Sequence, residues 1–249
     1  QLAQVRAVSK ERAALLKGVG LEESALEPQW FCVGCPDTGR HPGGVCSCVI
    51  DEEKRIRREE INSASPLTLC RFENFSVEKY PEHMEGLHIS PRETMGGILR
   101  DCMDWAAEFG PYSESLFMYG DAGIGKTHLA LSIASKVLDG GWDVIYVSAQ
   151  NAFATVSEQR FGDNSMFTSM LEADLLVLDD LGAEYLDAYV RSKLYELINA
   201  RMGRRPTIYT SNICEQKTLM MRYDEKISSR LLGDCHPMRC WGKDRRLNR

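Results

Sequence analysis

No stretch of this 249-residue chain approaches the roughly twenty consecutive apolar residues of a membrane-spanning helix. A secretory leader, with its basic start and short apolar run, is not visible either. Together these absences predict a cytoplasmic protein with no membrane partner. They also bear on the nine cysteines, which in that setting stay reduced thiols instead of forming a disulfide framework. An overall positive charge is lacking too, the net being −6, but the charge is uneven. Residues 191–249 hold 14 Lys+Arg against 6 Asp+Glu, and the remainder 16 against 30. A basic C-terminal third can face nucleic acid or a neighbouring subunit's nucleotide, or can simply be a solvated surface. What the chain does have is core: hydrophobic residues make up 43%, and the length suits one α/β domain plus a small appendage.

The chain is organised around residues 115–127, SLFMYGDAGIGKT. Leu116, Phe117, Met118 and Tyr119 read as a buried strand, and the helix that follows carries Leu129, Ile133, Ala134 and Val137 on one side. Between them, Gly120, Asp121, Ala122, Gly123, Ile124, Gly125, Lys126 and Thr127 satisfy the G-x-x-x-x-G-K-[ST] pattern. Glycines let the backbone N–H groups curl inward around phosphate oxygens, and the helix N-terminus adds a favourable dipole. Lys126 supplies a point charge for the β- and γ-phosphates, and the Thr127 hydroxyl can ligate Mg²⁺.

Downstream, the pattern predicts a strand over residues 143–147, helices over 149–160 and 166–171, and a central parallel strand through Leu175–Leu178. That strand delivers Asp179 and Asp180 to its carboxyl end, where ligands bind in open α/β sheets. Asp179 is expected to hold hydrated Mg²⁺ opposite Thr127, and Asp180 to orient or deprotonate the attacking water. The alternative is a pair of acids capping a loop. An amphipathic helix over 187–201 leads to a further buried strand, 206–212, that ends at Asn212, whose amide can hold the lytic water or touch the γ-phosphate. By spacing alone, Asn212 can equally be a plain strand-end residue. In the tail, Arg230 precedes Leu231 and Leu232, which would anchor its helix while the guanidinium points out. It can reach a neighbouring subunit's γ-phosphate or form a surface ion pair.

Upstream, residues 95–109 read as an amphipathic helix with Ile98, Leu99, Cys102, Met103 and Trp105 inward. Phe72 and Phe75 are expected to pack on the nucleotide domain, or to border the base. Residues 1–17 have weakly helical spacing, with Leu2, Val5, Val8, Leu15 and Leu16 as a stripe for the cysteine segment or for a partner. Cys32, Cys35, Cys46 and Cys48 form C-x2-C-x10-C-x-C around a turn-rich loop, an arrangement that suits a structural Zn²⁺. His41 is a possible substitute ligand. A charged spacer, residues 51–62, separates this appendage (1–62) from the nucleotide domain (63–249).

GDAGIGKT, LLVLDDLG, PTIYTSN and SSRLLG, in this order, resemble an AAA+ ATPase, and their wording is similar to DnaC/DnaI-type helicase loaders and the related IstB transposition ATPases. The cysteine segment followed by a charged helix and FENF resembles the bacterial and phage loader branch with an N-terminal zinc module. The resemblance implies an AAA+ P-loop fold, a central parallel sheet flanked by helices, with a small N-terminal helical, zinc-binding appendage. It also implies the cofactors ATP/ADP, Mg²⁺ and Zn²⁺. Gly120–Thr127 would be Walker A, Asp179 the metal-side acid of Walker B, Asp180 the acid that many relatives replace with Glu, Asn212 sensor 1 and Arg230 an arginine finger acting in trans. GKDRRL resembles the family's G-x-S-Y-R-L ending, with Arg246 at the sensor 2 position but Asp244 and Arg245 in place of Ser and Tyr. Implied partners are a DnaB-type replicative helicase hexamer, single-stranded DNA, and other copies of the chain through Arg230. The implied activity is slow ATP hydrolysis, stimulated by assembly, in loading the helicase at replication initiation. An IstB-like transposition helper and, more distantly, a P-loop kinase for a small metabolite remain as other readings.

Overall fold

Alternation within short apolar strands sets the architecture. In β3 (Leu116–Tyr119), Leu116 and Met118 join one buried cluster while Phe117 joins another. β4 (Val144–Ser148), β5 (Leu175–Leu181) and β6 (Thr207–Ser211) divide in the same way: Val144, Leu175, Val177 and Ile208 on one face, Ile145, Leu176, Leu178 and Tyr209 on the other. A sheet apolar on both faces must be covered on both, as parallel sheets are. The computed structural model shows this arrangement for residues 2–26, 29–52, 55–56, 70–86, 88–162 and 164–244, the ones it describes. The chain divides into two compact units, Gln1–Glu53 and Lys54–Arg249.

The second unit holds a five-stranded sheet in the order β4-β5-β6-β3-β7, β7 being His236–Arg239, with every neighbouring pair parallel. α2 (Pro91–Ala107) and α3 (Lys126–Asp139) contribute to one buried cluster. α4 (Ala149–Glu158), α5 (Ser165–Glu172), α6 (Ala188–Arg201) and α7 (Gln216–Gly233) contribute to the other. The order matters for function: β6 lies between β3 and β5, so whatever follows β6 emerges between the glycine loop after β3 and the acids at the end of β5.

The strands and helices lie close to their expected places, with three corrections. α2 starts at Pro91, four residues early, because Ser90 caps it by accepting the Glu93 N–H at 3.3 Å and Pro91 suits the first helical turn. Its buried stripe is Met95, Ile98, Cys102 and Ala106, and Met103, read as inward, is 46% exposed because it falls outside that stripe. α7 is interrupted at Asp224, which has non-helical angles.

The end of α6 holds a buried charge that periodicity does not reveal. Arg201 is 1% exposed and donates to the carbonyls of Met170, Leu171, Ala173 and Pro206 and to Thr207 Oγ1, at 2.7–3.2 Å. Burial lowers its pKa to about 10. It stitches the end of α5 to the start of β6, and so removes one cation from the basic surface inferred for the C-terminal third.

The first unit contains α1 (Leu2–Gly18) and a hairpin of β1 (Arg40–His41) and β2 (Gly44–Val45). Of the expected stripe, Leu16 is buried, whereas Val5, Val8 and Leu15 are exposed. The spacer at 51–62 lies largely, and Arg246 wholly, outside the described residues.

Candidate functional site

The glycine loop leaves β3 at Gly120 and enters α3 at Lys126. Gly125 caps the helix in the left-handed region (φ 100°), which a side chain disfavours. A Cβ there would also meet the Tyr80 hydroxyl at 2.8 Å and the Phe75 ring at 2.9 Å. Both aromatic residues are buried against the loop, and Tyr80 donates its O–H to the Ile124 carbonyl at 2.6 Å. Phe75 thus packs on the nucleotide domain as expected, with its ring 5.5 Å from His128.

Lys126 is 6% exposed and folds back over its own loop. Its ammonium donates to the Gly120 carbonyl at 2.8 Å, the Asp121 carbonyl at 2.7 Å and Asn212 Oδ1 at 2.7 Å. Burial pulls its pKa down, against the pull of nearby acidic groups.

Asp179 is buried, and three hydroxyls converge on it. Thr127 and Thr210 reach Oδ1 at 2.9 and 2.6 Å, and Tyr146 reaches Oδ2 at 2.8 Å. Beyond Leu178 the pairing of β5 with β6 shifts register, and Asp180 takes a left-handed conformation (φ 58°). Thr210 Oγ1 accepts the Asp180 N–H at 2.8 Å, and Asn212 Nδ2 donates to Asp180 Oδ1 at 2.6 Å. Asn212 therefore bridges Lys126 and Asp180, as the position of β6 dictates. These groups border a cleft of about 250 Å³. A hydroxyl and a carboxylate 2.9 Å apart form a hard oxygen pair of the kind Mg²⁺ takes through one or two carboxylates and its own waters, so Thr127 and Asp179 fit that ion.

Arg230 is not part of this cleft. It sits on α7 by a second cavity, of about 340 Å³, lined also by Ser115 and Cys235, the residues just before β3 and β7. That is the opposite end of the strands from the glycine loop. Its guanidinium meets Asp234 at 3.0 Å and Met202 Sδ at 3.2 Å. Arg230 thus makes the i,i+4 ion pair, half-exposed and away from its own loop.

Tyr80, Tyr146 and Thr210 were not singled out by the sequence pattern. Strand parity holds the signal: Tyr146, Asp179 and Thr210 alternate in phase with Val144, Val177 and Ile208, which places all three on the face of α3. Glu184, buried and held by Arg222, Tyr223 and the Gly182 N–H, joins the loop after β5 to α7 and has no comparable local signature.

In the first unit, Cys32, Cys35, Cys46 and Cys48 bring their sulfurs within 4.8 Å of one another. The Cys32–Cys46 and Cys35–Cys48 pairs are 3.8 and 3.5 Å apart, close to the roughly 3.8 Å edge of a tetrahedron with Zn–S bonds of about 2.3 Å. Asp37 fixes the first turn by accepting the main-chain N–H groups of Phe31 and Cys32 at 3.1 and 2.8 Å. The Cys35 N–H and neighbouring thiols lower the Cys32 pKa to about 7. The four sulfurs fit zinc by donor type and spacing. His41 is not in the cluster, and its Nδ1 accepts the Gly43 N–H at 3.0 Å.

Residues 104–249 match the family described as IstB-like ATP binding protein. An insertion-sequence ATP-binding protein of Sinorhizobium fredii is 26% identical over 147 residues, covering 52% of this chain and 48% of the relative. The chain thus spans about half the length of the curated relatives it matches. Among solved structures, the DnaC helicase loader is similar with a TM-score of 0.59 at 18% identity, over 72% of this chain and all of that one. DnaI is similar with a TM-score of 0.55 at 20% identity, over 72% and 92%. At these identities the likeness establishes the fold: an AAA+ P-loop sheet with flanking helices.

Proposed function

The chain belongs to the family of IstB-like ATP-binding proteins, and we propose that it is an ATP-driven loader of a replicative helicase onto single-stranded DNA. The observation that carries the nucleotide part is the convergence of Lys126, Thr127, Asp179, Asp180 and Asn212 on one cleft. Residues 120–127 would cradle the phosphates, with Lys126 exchanging main-chain acceptors for phosphate oxygens. Thr127 and Asp179 would hold Mg²⁺, which when bound neutralises charge developing on the transferred phosphoryl group. Asp180 would take the proton of the attacking water, and Asn212, already touching Lys126 and Asp180, would keep that water and the γ-phosphate in register. Arg230 would serve the cleft of a neighbouring chain, which makes hydrolysis depend on assembly and leaves an isolated subunit slow.

The helicase part rests on the four-cysteine cluster, which lies outside the family match. Residues 1–62 would form an appendage whose Zn²⁺ supplies folding energy that so short a segment cannot gain by burial. It would grip a DnaB-type hexamer while residues 63–249 act as the nucleotide-dependent switch and engage DNA with their basic surface. A second reading, a helper ATPase that binds DNA and a transposase, is favoured by the names of the curated relatives. Capture with a purified replicative helicase hexamer and, in parallel, with a transposase separates the two. ATP-dependent retention of the helicase alone supports the loader, and retention of the transposase alone replaces that reading. Phosphate release without any acceptor, stimulated by single-stranded DNA, separates both from a metabolite kinase.

A further inference from the structure

Asp179 is more tightly tied than its expected metal-side role requires. An ionised carboxylate offers about four acceptor positions, two on each oxygen. Thr127 and Thr210 fill those on Oδ1, at 2.9 and 2.6 Å, and Tyr146 takes one on Oδ2 at 2.8 Å. One position on Oδ2 is left. Of the three donors, Thr127 belongs to the phosphate loop and Thr210 also accepts the Asp180 N–H. Tyr146 comes from the neighbouring strand β4, where it pairs in register with Val177, two residues before Asp179 and on the same face of the sheet. Its ring packs on the apolar cluster of that face, so the hydroxyl has a rigid mount.

We propose that Tyr146 is a positioning residue that sets metal selectivity by occupying one lone pair of Asp179 Oδ2 and leaving the carboxylate a single free acceptor position. This rests on the Mg·nucleotide reading above. Mg²⁺ demands near-octahedral geometry and keeps several waters, and one lone pair suffices for a bond from such a water. Ca²⁺ takes six to eight oxygens, a larger shell to which a carboxylate with a single free position contributes little. Without the tyrosine hydroxyl, Oδ2 has both lone pairs open while the two threonines still hold Oδ1, so the carboxylate offers a second position to the larger shell of Ca²⁺.

The test measures the affinity of a fluorescent ADP for the full chain in EDTA, in Mg²⁺ and in Ca²⁺, for the wild type and Tyr146→Phe. The variant is expected to bind in EDTA like the wild type, while its Ca²⁺-to-Mg²⁺ affinity ratio rises about tenfold, the low end of what loss of an outer-shell partner does at metal sites. A merely structural tyrosine would lower the melting temperature and weaken binding in all three conditions alike, which overturns the proposal. So does a ratio within twofold of wild type in a folded variant. Tyr146→Met, which also lacks the hydroxyl, repeats the test if the phenylalanine variant is not recovered folded. Failure of the nucleotide reading itself looks different: the wild type then binds no ADP under any condition.

Discussion

Lys126→Met separates what the lysine does for the fold from what it does for nucleotide. In the free protein the ammonium is satisfied by the carbonyls of buried Gly120 and exposed Asp121 and by Asn212, which lines the cleft. Methionine fills the same volume but leaves those three acceptors without a donor. Water can replace the ammonium at Asp121 and Asn212 at little cost, while the buried Gly120 carbonyl loses its donor. Burial already disfavours the charged form of Lys126, so removing the charge also relieves a penalty. The two effects oppose each other, and stability should change by no more than about 1 kcal/mol. With nucleotide present, the charge-assisted bonds of the ammonium to phosphate are lost, each worth about 1.5–3 kcal/mol net. Since wild-type Lys126 must release its internal acceptors to make them, we take a net loss of about 2–3 kcal/mol, or about 30- to 150-fold in affinity. Urea denaturation without nucleotide and titration with a fluorescent ATP analogue measure the two sides. ATP affinity within threefold of wild type in a normally stable variant would refute the reasoning, because the ammonium would then not be meeting phosphate.

Asp180→Asn should preserve nucleotide affinity and slow turnover at least 100-fold, because asparagine tolerates the left-handed backbone and keeps an acceptor for Asn212 but is no base; phosphate-release assays beside binding titrations check this. Arg201→Met should destabilise the second unit by about 3–5 kcal/mol, since four carbonyls, three of them in buried bonds, lose their donor, and a shift of less than 1 kcal/mol in urea denaturation would show that they find partners elsewhere. The purified chain should carry one Zn²⁺, measured by elemental analysis. Chelation should open all four thiols to alkylation together, because the metal supplies the folding energy of so short a segment; thiols that label freely before chelation would contradict the site.

How far the sequence discloses this molecule depends on the range of the interaction involved. The glycine loop is a local device, with strand, turn and helix cap in one short stretch, and it lies where the motif puts it. The strands are legible because runs such as Leu175–Leu178 are apolar on both faces and only a covered parallel sheet satisfies them. Asp179, Asp180 and Asn212 come together because each lies near or just beyond the carboxyl end of its strand, and neighbouring parallel strands bring those ends together. The left-handed turn at Asp180 has no local signal, because it follows from a register shift against a strand some thirty residues later. Arg201 looks like an ordinary cation at a helix end, yet its partners come from residues 170–173 and 206–207, which only the fold assembles. His41 has the chemistry of a zinc ligand and sits between the two cysteine pairs, but its own hairpin claims its ring nitrogen.

The central claim is that one chain supplies the phosphate cradle and another the arginine that completes it. Phosphate release from an equimolar mixture of Lys126→Met and Arg230→Ala subunits tests that claim most directly. Each variant should be nearly inactive alone, the first for want of a cradle and the second for want of the arginine. Mixing should restore a substantial part of wild-type turnover, through interfaces that pair an intact Lys126 with an intact Arg230. A mixture no more active than the sum of its parts would contradict the account.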